Sequence, residues 1–172
     1  MELLTLVNTR DEVIGSCEKA QAHAAPTLHR AFSVFLYSDK GMLLQRRSRG
    51  KYHSGGLWTN ACCSHPRYGE TLSEAVPRRM EEELGWSEAV QEIFSFVYCA
   101  QFAPDLWEYE YDHVFLGPCD RDPVLNPEEA EEFRWVEFEA LRRELVEHPE
   151  QFTAWFLIAA PRVLDFLEWF GR

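Results

Sequence analysis

The segment W-T-N-A-C-C-S-H-P, residues 58 to 66, sets two adjacent thiols two residues ahead of a His-Pro, just downstream of Gly55-Gly56. Glycines let a backbone approach a ligand closely. A thiol of ordinary pKa, ~8.5, is mostly protonated at neutral pH and can donate a proton. In an extended segment Cys62 and Cys63 face opposite ways, so one serves a site and the other fills a core. Farther along, L-W-E-Y-E-Y-D-H-V-F (106–115) alternates acids with aromatics. As a strand it carries Glu108, Glu110 and Asp112 on one face and Trp107, Tyr109 and Tyr111 on the other. The plain expectation is acids in water and aromatics in the core; the functional alternative is a carboxylate pair that meets a cation. Six histidines stand at 23, 29, 53, 65, 113 and 148. His23 and His29 flank Pro26, which predicts turn or loop for both. Those two, His65 beside the cysteines and the carboxylate pair have the donor types of a mixed nitrogen–oxygen metal site, although sequence distance cannot bring them together. A third feature is the run Glu81-Glu82-Glu83. Glu83 follows Arg79 by four residues and Glu82 follows Arg78 by four, which by spacing alone reads as surface ion pairs worth a few tenths of a kcal/mol.

The elements that must position these groups read as follows. Residues 3 to 7 (LLTLV) are a strand, and 16 to 25 (SCEKAQAHAA) carry weak helical character ending at Pro26. AFSVFLY (31–37) and MLLQRR (42–47) flank the turn S-D-K-G, a hairpin signal. Residues 48 to 57 form a loop. TLSEAVPRRMEEELG (71–85) is a helix with Thr and Ser at its start and Gly85 at its end. Leu72, Val76, Met80 and Leu84 give it one buried stripe, and Pro77 argues for a start near Ser73. EIFSFVYCAQF (92–102) and LWEYEYDHVFLG (106–117) form a second hairpin, FRWVEF (133–138) a further strand, and the remaining residues helix interrupted at Pro149 and Pro161. Strands and helices do not alternate regularly, so the fold class is α+β with a mixed sheet.

At 172 residues the chain is one domain, 1–172. With 46% hydrophobic and 27% charged residues it is not disordered, and it needs no disulfide to build a core. The net charge of −12 argues against a nucleic-acid or anionic-membrane surface. An anionic ligand would therefore need a local cluster of base or metal. The longest near-apolar run, FTAWFLIAAP (152–161), is about half of the ~20 residues of a membrane span. Five cysteines with no C-x-x-C pair, and opening residues without the pattern of a signal peptide, make a cytoplasmic setting the expectation.

Taken together these stretches resemble the type I isopentenyl-diphosphate isomerase family, a branch of the Nudix superfamily. The matching pieces are E-K-A-Q-A-H (18–23), L-H-R-A-F-S (28–33), L-L-Q-R-R (43–47), L-W-T-N-A-C-C-S-H-P (57–66), G-E (69–70), R-R-M-E-E-E-L-G (78–85), E-Y-E (108–110) and T-A-W (153–155). Against the general box G-x5-E-x7-R-E-U-x-E-E-x-G-U the chain reads Ser64, Glu70, Arg78, Arg79, Met80, Glu82, Glu83, Gly85 and Trp86. Ser64 replaces the opening Gly, and Arg79 replaces a Glu. The second departure removes a possible metal ligand and adds a phosphate-binding cation, which favours holding a diphosphate over cleaving it.

The resemblance implies a Nudix-like α/β/α sandwich with peripheral helices, and interconversion of isopentenyl and dimethylallyl diphosphate; the alternative is a Nudix hydrolase of a diphosphate. By the same matching, Cys63, Glu110, Tyr98 and Trp155 would be catalytic. His23, His29, His65, Glu108 and Glu110 would hold one divalent metal, Mn²⁺, Zn²⁺ or Mg²⁺. A second ion, Mg²⁺, would bridge Glu83 and the diphosphate, which Lys19, Arg47, Lys51 and Arg79 would grip. The expected partner is a small isoprenoid diphosphate, with no nucleic acid and no membrane span, bound by a monomer or weak homodimer.

Overall fold

The runs A-F-S-V-F-L-Y and M-L-L-Q are nearly continuous in apolar residues because both faces of their strands are covered. In the computed structural model, which describes residues 2–170, they lie in β3 (His29–Ser38) and β4 (Gly41–Arg47), after β1 (Leu3–Val7), β2 (Val13–Glu18) and α1 (Lys19–Ala24). Phe32, Val34, Leu36 and Leu43 turn to one face, where they pack on Val76, Met80 and Leu84 of α2 (Leu72–Leu84). Phe35, Met42 and Leu44 turn to the other, against Phe156, Val163 and Leu164 of α4 (Ala154–Phe170). One sheet between helices is thus the layer order. The remaining elements are β5 (Trp58–Thr59), β6 (Cys62–Ser64), β7 (Gln91–Ala103), β8 (Leu106–Pro118), β9 (Ala130–Val136) and α3 (Phe138–Glu147).

The β3–β4 turn needs Gly41: its φ is 110°, and a Cβ there would stand 2.0 Å from the Val136 carbonyl oxygen. Beyond that turn the two strands pair only at Tyr37–Met42 and Ser38–Gly41. They then part. β3 takes β6 antiparallel and β8 parallel, while β4 takes β9 and β5 antiparallel. β8 is completed by antiparallel β7, and β1 joins β2 to β3. The divergence of β3 from β4 opens the space the site occupies.

Several elements differ from the sequence reading. Residues 16 to 18 continue β2, so the first helix is only Lys19–Ala24. α2, by contrast, starts at Leu72, one residue before the expected Ser73, and runs through Pro77 as expected, since the missing N–H there orphans only the carbonyl of solvent-exposed Ser73. Pro161 lies inside α4 rather than interrupting a helix, whereas Pro149 opens a short 3₁₀ turn between α3 and α4. The last predicted strand ends at Val136, because the Glu137 carboxylate caps α3 by accepting from the Glu139 and Ala140 amides. Among the described residues no helix is long and apolar enough to cross a membrane.

Candidate active site

Strand register assembles the carboxylates and histidines. Parallel pairing sets His29, the first residue of β3, beside Glu110 of β8. His65 follows β6, and His23 comes from the last turn of α1. Neither His23 nor His29 lies in loop, contrary to the expectation from Pro26: the chain reverses between a helix end and a strand start, which brings the two rings to 5.5 Å. The E-Y-E-Y-D face is also opposite to the plain expectation. Glu108, Glu110 and Asp112 are 2%, 7% and 1% exposed, and the aromatics of the other face are only half-buried. Acids are inside because this face meets histidines, not apolar side chains.

Donor atoms of His23, His29, His65 and Glu108 all lie within 4.8 Å of one another. Glu108 Oε2 stands 3.4 Å from His23 Nε2 and 3.5 Å from His29 Nε2. The Nε2 atoms of His29 and His65 face each other at 3.3 Å. Nδ1 of His29 is 2.8 Å from the Thr27 carbonyl, so it donates there and aims Nε2 into the cluster, where a bound cation would displace its proton. Buried Glu108 Oε2 and His23 Nε2 have no hydrogen-bond partner. Convergent nitrogen and carboxylate donors with orphaned atoms fit a divalent cation. Glu110, expected in the same set, borders this group of four, with Oε1 2.8 Å from His65 Nε2 and 3.8 Å from His29 Nε2.

Electrostatics at the cluster call for positive charge. Burial alone would draw the His29 imidazolium down, yet Glu108 and Glu110 raise its pKa to about 10. Burial would raise Glu108, but the facing His23, His29 and His53 rings hold it well below the carboxylate range. His65 is lowered, chiefly by burial. Asp112, buried and beside the Glu110 charge, is pushed well up and accepts from the Ser33 hydroxyl at 2.8 Å. The buried Tyr98 phenol, also raised well above its ordinary value by burial and Glu110, donates to Glu110 Oε2 at 2.8 Å.

Cys63 pairs with Ser33 and lines one cavity, of about 170 Å³, together with Tyr98, Glu110 and Trp155. Burial pushes its thiol up against the opposing charge of Arg47. Cys62 points the other way, fully buried in the core beneath α2. Trp155 Nε1 donates to Asn60 Oδ1 at 3.2 Å, and Asn60 Nδ2 donates to the carbonyls of Val34 and Cys62. The Thr-Asn of the motif is therefore a brace between α4 and the cysteine strand. Its role could be found only from the bonds.

The four expected cations, Lys19, Arg47, Lys51 and Arg79, line this same cavity. Each has a partner. Lys51 pairs with Glu129; Lys19 stands 3.8 Å from Glu2; Arg47 donates to the His53 carbonyl at 3.3 Å. Arg79 bonds Glu83 at 2.5 Å, Glu82 at 2.6 Å and Glu129 at 3.3 Å. Glu83 is not a surface residue: it is 2% exposed, accepts from Gln45 at 3.2 Å, and burial raises its pKa. Arg78 makes its shorter bonds to Glu70, eight residues back, at 2.6 and 2.8 Å. Gln45, Tyr52, His53 and Glu129 also line the cavity and had no signal in the sequence beyond their types.

The NUDIX domain model matches residues 27–156. A Photorhabdus laumondii protein named Isopentenyl-diphosphate Delta-isomerase 2 is 45% identical over 171 residues, spanning 98% of this chain and 97% of that one. A Serratia proteamaculans protein named Isopentenyl-diphosphate Delta-isomerase is 46% identical over 157 residues, 91% of this chain and 88% of that one. Among solved structures, DR0079 from Deinococcus radiodurans superposes with a TM-score of 0.77 at 24% identity, covering 94% of this chain and 98% of that one. A MutT protein from Methanosarcina mazei does so at 0.66 and 22%, covering 83% and 96%. At these identities the structures show the fold alone.

Proposed function

We infer, because this chain belongs to the isopentenyl-diphosphate Delta-isomerase family of Nudix proteins, that it interconverts isopentenyl diphosphate and dimethylallyl diphosphate. The observation that carries the mechanism is a single small cavity into which Cys63, Glu110, Tyr98 and Trp155 open beside four cations. Moving the double bond adds a proton at one carbon and removes one two carbons away, through a tertiary cation. It needs a donor, an acceptor and a dry pocket between them.

Cys63 and Glu110 form that pair. The reaction is reversible, so the group that donates in one direction receives in the other. Burial keeps the Cys63 thiol neutral, with its proton on Sγ. Tyr98 donates to one oxygen of Glu110, and the other lies 2.8 Å from His65 Nε2. A positioned acid or base supplies roughly 10²–10⁴-fold. Trp155 presents its face to the cation, worth up to ~2 kcal/mol in a desolvated site. Enzymes commonly lower barriers by about 8–23 kcal/mol, so the acid–base pair and the prepared pocket carry most of the rate.

Lys19, Arg47, Lys51 and Arg79 grip the diphosphate, exchanging their present partners (carboxylates and, for Arg47, the His53 carbonyl) for phosphate oxygens. His23, His29, His65 and Glu108, with Glu110 at the border, hold one divalent ion, Mn²⁺, Zn²⁺ or Mg²⁺, whose charge offsets the buried carboxylates. Glu83 would help hold a second ion, Mg²⁺, whose charge would screen the diphosphate. Residues 1–172 act as one catalytic domain, a cytoplasmic monomer or weak homodimer without a nucleic-acid partner, in keeping with a net charge of −12.

Incubation with isopentenyl diphosphate in D₂O tests the reading against a Nudix hydrolase. The expected product is dimethylallyl diphosphate carrying deuterium, with no phosphate released. Phosphate release without deuterium uptake would replace isomerisation by hydrolysis.

A further inference from the structure

The two oxygens of Glu108 have different surroundings. Oε2 faces His23 and His29 and has no hydrogen-bond partner. Oε1 accepts from the Tyr52 phenol at 3.1 Å and lies 2.9 Å from His53 Nε2. Both residues come from the loop between β4 and β5, and neither is needed by the chemistry above. Two bonds to one oxygen restrict the carboxylate's rotation and so help to aim the other.

The loop residues are themselves held. His53 stacks on Phe102 at 4.2 Å between centroids, inclined by 10°, and meets Trp155 edge-on at 5.9 Å. Its Nδ1 lies 2.9 Å from the Ser54 hydroxyl. When that hydroxyl donates to Nδ1, the ring carries its proton on Nε2, the atom facing Glu108. Ser54 keeps this arrangement at φ 54°, a left-handed conformation that a non-glycine residue rarely holds. Tyr52 does two things at once: its hydroxyl bonds Glu108, and its ring stacks on His23 at 5.4 Å, inclined by 15°.

We propose that Tyr52 and His53 are positioning residues for the metal centre, clamping Glu108 by Oε1 and bracing the His23 ring so that Glu108 Oε2 and His23 Nε2 converge on one cation. This rests on reading His23, His29, His65 and Glu108 as the metal-binding set. Outer partners that orient metal ligands are commonly worth 10–100-fold in metal affinity. The clamp also ties the centre to the diphosphate grip: Lys51 precedes Tyr52 in the chain, and Arg47 donates to the His53 carbonyl.

The test is chelator competition against the Zn²⁺-loaded full-length protein, reading the apparent dissociation constant for Zn²⁺. His53→Phe keeps a ring to stack on Phe102 and deletes the donor; it should weaken Zn²⁺ binding 10–100-fold. His53→Gln restores an N–H donor and should recover at least half of that loss on a logarithmic scale. Tyr52→Phe keeps the stack on His23 and should lose several-fold. Wild-type Zn²⁺ affinity in both His53→Phe and Tyr52→Phe overturns the clamp, as does a His53→Gln protein no better than His53→Phe. Should His53→Phe fail to fold, Tyr52→Phe and His53→Gln decide alone: wild-type affinity in Tyr52→Phe then overturns the clamp. Glu108→Gln separates the two readings: undiminished Zn²⁺ affinity there would refute the metal site itself, and the clamp with it.

Discussion

The Tyr98 phenol donates to Glu110 Oε2 across 2.8 Å, from the strand position directly opposite it in the β7–β8 ladder. Glu110 Oε1 lies 2.8 Å from His65 Nε2, so Tyr98 supplies the bond that leaves the carboxylate aimed. A hydrogen bond to a charged group is worth about 1.5–3 kcal/mol, so Tyr98→Phe should lower kcat on the order of 10–100-fold. Glu110→Gln removes the proton-transferring group and should cost roughly 10²–10⁴-fold. Steady-state kinetics with metal content measured on the same samples checks both. A Tyr98→Phe enzyme at the wild-type rate would leave the phenol a packing role only.

The two adjacent cysteines should separate cleanly. Cys63 faces the cavity and Cys62 the core under α2. Cys63→Ala should lose roughly 10²–10⁴-fold in turnover. Cys62→Ala should keep turnover and lose about 1 kcal/mol of stability, read from a denaturant midpoint. Burial raises both thiols, which keeps them protonated at neutral pH, and alkylation requires the thiolate. Iodoacetamide at neutral pH should therefore label exposed Cys99 first, with Cys63 reacting only as pH rises and Cys62 not at all. Peptide mass spectrometry reads the order; early labelling of Cys62 would reverse the assignment of the pair.

How far the sequence could be read depended on whether a residue's partner was near it in the chain. The period-2 pattern of residues 106–115 separated acids from aromatics correctly, yet could not say which face was inside. That was settled by His23, His29 and His65, which three other segments deliver. The four-residue stripe of α2 placed its core face from local spacing, and Pro77 placed its start to within a residue, whereas Pro161 was read as an interruption that the packing of α4 overrode. His53 and Tyr52 lie in an irregular loop, and Glu129 in the segment leading into β9, where no periodicity marks a functional side chain. Their roles exist only as distances to Glu108 and Lys51. The family motifs supplied those residues that recur in a fixed order, and no others.

Arg79 is the hub of a charge network, and that decides how it should be probed. It bonds Glu82, Glu83 and Glu129 simultaneously. Arg79→Glu would set a fourth carboxylate among these three, so it should destabilise the fold as well as the site. Arg79→Gln keeps a donor without the charge. It should raise the Michaelis constant for isopentenyl diphosphate about 10-fold or more, the value of one charge-assisted bond to phosphate, with a smaller change in kcat. An unchanged Michaelis constant would take Arg79 out of the diphosphate grip and leave it a structural counter-ion for Glu83.

Glu70 and Arg78 give a prediction about acid stability. Two parallel bonds, Arg78 Nε to Oε1 at 2.6 Å and Nη2 to Oε2 at 2.8 Å, join the loop before α2 to the helix. Arg78, and next the Arg67 amide against the opposing effect of burial, hold the Glu70 carboxyl below its usual range. A carboxyl depressed in the folded state binds protons more weakly there than in the unfolded chain. Its contribution to stability is then complete above the unfolded value of ~4.3 and is lost as pH falls through the folded value. Glu70→Gln should accordingly cost up to ~1 kcal/mol at pH 7 and progressively less below pH ~4, where wild type has lost the same interaction. Urea midpoints of wild type and Glu70→Gln across that range should converge on acidification. Parallel curves would mean that the Arg78 pair stabilises through packing and not through its charge.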